Sequence, residues 1–145
     1  MSDIVEFLRA RLDEDEQTAT AATSATFGED PTWTSKDDGT GEQTHGYVMA
    51  DHTAICGHDS DDVLLPIADH IARNDPARVL REVEVKRAIL TQEEAARAHY
   101  EHIKSSVTYP VETPIGQVVA LATVIRHLAA VYSDHPDYQQ EWAIS

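Results

Sequence analysis

A chain of 145 residues with 26 acidic and 11 basic side chains carries a formal net charge of -15. Such a chain is repelled by nucleic acid phosphates and anionic membrane surfaces, so neither direct nucleic acid binding nor membrane attachment is expected. The single cysteine, Cys56, excludes an internal disulfide framework and a cysteine-rich zinc module.

The length suits one domain over residues 1–145, long enough to bury a core without staples. The first residues, MSDIVEFLRARLDEDE, place acids where a signal peptide needs a basic start and an apolar run. The most apolar segment, Ile115 to Val131, is broken by Gln117, Arg126 and His127, too polar to span a bilayer. A soluble, cytoplasmic protein is expected. Its charge is lopsided: residues 1–72 hold 16 acids and 3 bases, whereas residues 73–145 hold 10 and 8.

Asp3 followed by Glu6 has capping-box spacing, and Val5, Leu8 and Leu12 form an apolar stripe, predicting a helix over 4–22. The acids Asp13, Glu14, Asp15 and Glu16 in its middle read either as a docking patch or as a solvated helix face. Helical period is lost from Phe27 to Gly46, and a β segment is expected over 31–58. Tyr47–Ala50 and Thr53–Cys56 form its hairpin around Asp51-His52, with a third strand near Trp33 and Thr34. So small a sheet needs helices against it.

A helical bundle is expected over 63–133. Val63, Leu64, Ile67 and Ile71 mark a short helix, with Pro66 tolerable in its first turn and Asn74 as its stop. Asp75 then caps a new helix with Pro76 at its first position, and Val79, Leu80, Val83, Ile89 and Leu90 supply its apolar face. Thr91 with Glu94 has capping-box spacing again, which predicts a bend or a new helix near Thr91, running to about Lys104. After the connector SSVTYPVET, Thr113-Pro114 opens a last helix.

In that last helix Ile115, Val118, Ala122, Ile125, Ala129 and Tyr132 follow a heptad spacing, while Leu121, Val124, Leu128 and Val131 cover much of the opposite side. A helix apolar nearly all round is expected to be a buried central one, with a dimer seam as the alternative. Residues 134–145 read as a tail. The class is α+β and mostly helical: about five helices with a small antiparallel hairpin or three-stranded sheet.

For metal chemistry the best donors are His52, Cys56 and His58, with His45 nearby, a set that favours zinc. With Asp59 they would make a small metal-dependent hydrolase, set against a half-buried strand cysteine and turn histidines. Asp62 suits a helix cap better than a calcium loop. There is no Gly-rich phosphate loop, nucleophile elbow or cysteine nucleophile motif, so an enzyme is not favoured. Arg73, Arg78, Arg81, Lys86 and Arg87 flank the Asp-Pro hinge, and their forks suit either an anionic partner or the chain's own acids.

Three stretches in order, FLRARLDEDEQTA, HIARNDPARVLREVEVKRAIL and YSDHPDYQQEW, resemble a family of small acidic proteins. It is found in actinobacteria and their phages and is known as domain of unknown function six-two-two-one. The resemblance implies no activity, ligand or catalytic residue. It does imply Cys and His residues between Leu90 and His127, where this chain has no cysteine and retains His99 and His102.

The reading that follows is a non-enzymatic accessory protein of phage or prophage setting, acting by contact with a host or phage protein through its acidic surface. A sharper version has the acidic half imitating nucleic acid. The alternatives are the metal-binding protein or hydrolase of His52, Cys56 and His58, and a structural homodimer without ligand.

Overall fold

The computed structural model describes residues 2–39, 45–58, 63–105 and 112–144. The order of elements is α1 (Ser2–Ser24), β1 (Thr34–Asp37), β2 (His45–Ala50), β3 (Thr53–Cys56), β4 (Val63–Leu64), α2 (Leu65–Arg73), α3 (Pro76–Ile103), α4 (Glu112–Ala130) and a 3-10 turn at Gln140–Trp142. Among the described residues there are thus four α-helices rather than five. Contacts gather the chain into two compact units, Met1–Asp13 with Glu84–Ser145, and Glu14–Val83.

The difference in helix number arises at Thr91, which starts nothing. Its hydroxyl donates to the Arg87 carbonyl at 3.1 Å, one turn back inside an unbroken α3. A threonine bonded in this way continues a helix instead of capping one. Glu94, the other half of the supposed capping box, pairs with Arg9 of α1. The first helix begins at Ser2, two residues before the expected start, so Asp3 lies inside its first turn and not at its cap.

The first unit is helical. Ile4, Val5, Phe7, Leu8 and Leu12 of α1 are buried, as are Leu90 and Ile103 of α3, Ile125 and Ala129 of α4, and Trp142. Spacings of three and four place the α1 residues on one face. The expected tail is therefore packed where it carries Trp142, whose ring lies 5.1 Å from that of Phe7.

The second unit holds the sheet. β2 is central: β1 pairs antiparallel along one edge, while β3 and then β4 share the other. The hairpin forms as expected around Asp51, which takes a left-handed φ of 46°. A bulge between Val48 and Met49 leaves Ile55 without an opposite partner. Alternation buries Gly46, Val48 and Ala50 on one face, and α2 packs on β1 and β2. Gly57, at φ 76°, ends β3 where a Cβ would lie 2.5 Å from the Gly46 carbonyl oxygen, so only glycine lets β4 follow β3 along that edge.

The Asp-Pro hinge behaves as its sequence requires. The Asn74 backbone N–H donates to the His70 and Ile71 carbonyls and closes α2. Asp75 Oδ1 accepts the Arg78 N–H at 2.8 Å, and its Oδ2 accepts the Trp33 N–H at 3.1 Å, so one buried carboxylate caps α3 and holds the chain before β1. Asp75→Ala removes both acceptors and is expected to cost about 2 kcal/mol, the upper range for a lost cap. Urea unfolding with far-UV circular dichroism measures it; a loss indistinguishable from zero would show that water replaces the carboxylate without penalty.

Candidate interaction surface

Between Thr113 and Ser133 the chain has no aspartate or glutamate, an unusual run in so acidic a sequence. Of the heptad set, Val118, Ala122, Ile125 and Ala129 share one side of α4 at about 100° per residue, Tyr132 follows in the turn after the helix, and Ile115 does not join them. This side is packed: Ile125 and Ala129 are fully buried, and Val118, Ala122 and Tyr132 are half-buried. The expectation of a helix buried all round does not hold. Ile115 is 41% exposed, Val119 60%, Val124 39% and Val131 66%. The neighbours α4 has within its unit bury one side, Leu121 and Leu128 are half-buried, and Ile115, Val119 and Val124 face solvent.

These exposed residues occupy two flanks. Ile115 and Val119 lie on one, with Arg126 between turns. Val124 lies on the other, in a stripe with Gln117, Ala120, Leu121 and Leu128, and Val131 follows in the turn after the helix. The N-terminal end of that stripe borders a groove of about 450 Å³, which Ala95, Ala96 and His99 of α3 line together with Gln117, Ala120 and Leu121 of α4. Alanines on both walls let the helices approach and leave a hollow of aliphatic width. Large isolated apolar residues are ordinary on a surface; the stripe beside this groove is what makes the region a candidate contact surface.

The residues singled out by sequence are distributed otherwise. Asp13 accepts from Arg87 at 2.6 Å. Asp13, Glu14, Asp15 and Glu16 are successive residues of α1, so they encircle the helix axis and share no face. Arg78 bonds Glu82 along α3 at 2.8 Å, Arg81 is exposed, and Arg87 is the member of the basic cluster that reaches α1. At the end of α3 the Glu101 carboxylate accepts from the Lys104 ammonium and raises its pKa.

His52 sits in the hairpin turn, 3.5 Å from the Asp51 carboxylate and largely exposed. Cys56 is half-buried at the end of β3, and His58 stands edge-on to Tyr47. Among the described residues no three His, Cys, Asp or Glu side chains are placed to hold a metal ion, and Asp59 lies outside the described residues.

An open cleft of about 820 Å³ beside α2 carries Trp33, Ser35, Asp69, His70 and Arg73. Its Ser35 hydroxyl donates to the Asp69 carboxylate at 2.5 Å.

Two arrangements have no counterpart in the sequence reading. Glu93, 1% exposed, lies in the inward stripe of α3 and pairs with Arg97. Arg11, 7% exposed, reaches His135 Nδ1 at 2.8 Å and lies over the Phe7 ring. The signal for Glu93 was its register three residues after Leu90; for Arg11 it was its place beside Leu12 in the apolar stripe.

Among the described residues no helix is long and apolar enough to cross a membrane. Neither the curated proteins nor the solved structures contain a match to this chain. Residues 1–144 match the family described as "Family of unknown function (DUF6221)". With the match spanning nearly every residue, the chain belongs to that family.

Proposed function

We propose that this chain is a non-enzymatic accessory protein that works by contact with another protein, in the phage or prophage setting that its sequence resemblance implies. The contact surface is the Val124 side of α4. The observation that carries this reading is the exposure of Val124 on α4 and of Val131 in the turn after it, within a run from Thr113 to Ser133 that has no acid. An aliphatic, nearly uncharged surface loses little polar solvation when covered and gains roughly 25 cal/mol per Å² of apolar area. The acidic remainder of the chain keeps such a protein dispersed and discourages contact elsewhere.

Affinity capture from the host, comparing the wild-type chain with Val131→Glu, tests the reading. A specific partner is expected with the wild type and is lost with the variant. The same proteins captured by both would overturn it.

A further inference from the structure

Resting on that reading, we infer that the partner of the α4 stripe is a second copy of this chain, paired antiparallel across a two-fold axis near Val124. The stripe Gln117, Ala120, Leu121, Val124, Leu128 and Val131 is self-complementary along its length. Its N-terminal end opens into the alanine-lined groove against α3, and just past its C-terminal end, in the turn after Ala130, Val131 is 66% exposed. A two-fold axis at Val124 sets position 117 opposite 131 and 120 opposite 128. Each copy's Val131 then enters the other's groove, and the two Val124 side chains meet at the axis. Closed two-fold pairing needs a patch carrying both knob and hole in this relation.

Charge points to the same occupant. Two chains of -15 repel wherever their acids meet, and the acid-free run of α4 is a surface on which they can approach without opposing carboxylates. The flank with Ile115 and Val119 also carries Arg126, which would face its own copy in a symmetric pairing there. The Val124 stripe brings no Asp, Glu, Lys or Arg, and the same axis sets His127 at its edge opposite Leu121. From Gln117 to Val131 it runs roughly 22 Å, so even with the α3 wall the buried area falls at the low end of specific interfaces. The dimer is therefore weak, of micromolar dissociation constant, and it strengthens with salt as the long-range repulsion is screened.

Sedimentation equilibrium of the full chain from about 5 to about 200 µM, at about 50 and about 500 mM salt, measures this. A monomer–dimer equilibrium is expected, tighter at high salt. Val131→Glu and Val124→Glu should weaken it by about tenfold or more with unchanged circular dichroism, while Val119→Glu on the other flank leaves it unaltered. A monomer throughout, or association that weakens with salt, overturns the inference. So does a dimer that Val119→Glu disrupts and Val131→Glu does not. If the chain is monomeric but Val131→Glu still loses a captured host protein, the second copy is excluded and the contact surface stands. If Val131→Glu changes neither association nor capture, the contact surface itself falls.

Discussion

Phe7→Ala is expected to destabilise the protein by about 4 kcal/mol, the largest effect of any single truncation in the helical unit. Phe7 is 7% exposed, and four rings surround it: Tyr132 at 6.3 Å, His135 at 5.7 Å, Tyr138 at 6.1 Å and Trp142 at 5.1 Å. Three of these contacts are edge-on, the geometry that aromatic quadrupoles favour. The Arg11 guanidinium lies 5.2 Å from the same ring, so truncation also removes a cation–π contact. Alanine leaves a cavity that the segment after α4 can fill only by giving up its own packing, since Tyr138 and Trp142 meet edge-on at 5.6 Å. Chemical unfolding gives the free energy, and the melting temperature should fall by about 10 °C or more. Trp142 should report the loss through a red-shifted emission, with Trp33 replaced to isolate its signal. A cost below about 1 kcal/mol would mean that residues 132–142 are not held by this ring.

The parts of this fold legible in the sequence are those set by local stereochemistry. Asp75-Pro76 starts a helix because proline needs no N–H donor at that position and aspartate supplies the acceptor. Asp51 turns a hairpin because aspartate tolerates left-handed φ. What was not legible depends on partners distant in sequence. Thr91 and Glu94 have cap spacing, yet the register of α3 gives one to the Arg87 carbonyl and the other to Arg9. In α4 the heptad set was visible, but how far its opposite stripe is covered depends on distant elements, and among the described residues Leu121 and Leu128 stay half-buried and Val124 exposed. The aromatic cluster joins residues more than a hundred positions apart, and no periodicity announces such a contact.

The candidate surface shows the same division. Its residues, Leu121, Val124, Leu128 and Val131, were recognisable as an apolar second side of the last helix. The exposure of Val124 and Val131 and the alanine groove beside them were not. The acids of α1 illustrate the converse. Asp13 to Glu16 stand out in sequence as a block, yet a helix turns such a block into a ring, and Asp13 is taken by Arg87. Within the block only Asp13 and Glu16 are three apart, so a single pair of its acids stacks along one face of α1.

The same logic of register gives a second large expected effect, at Glu93. Its carboxylate occupies an inward position of α3 between Leu90 and Arg97 and is 1% exposed. Arg97, 38% exposed, reaches over it from one turn along the helix. Removing the cation by Arg97→Ala leaves a buried carboxylate uncompensated and is expected to cost about 3 kcal/mol, read as a lower urea midpoint at unchanged slope. The surface pair Arg9–Glu94 makes the comparison, since its partners are about half exposed; Arg9→Ala should cost under about 1 kcal/mol. Burying both charges was itself unfavourable, so Glu93→Leu with Arg97→Met should recover most or all of the loss, leaving a packed apolar stripe from Leu90 onward. If Arg97→Ala costs no more than Arg9→Ala, or the apolar pair is no better than the single variant, Glu93 is not held by Arg97 and its burial needs another explanation. The recovery decides whether the ion pair is there for stability. A fold that becomes more robust when the pair is replaced does not keep it for stability.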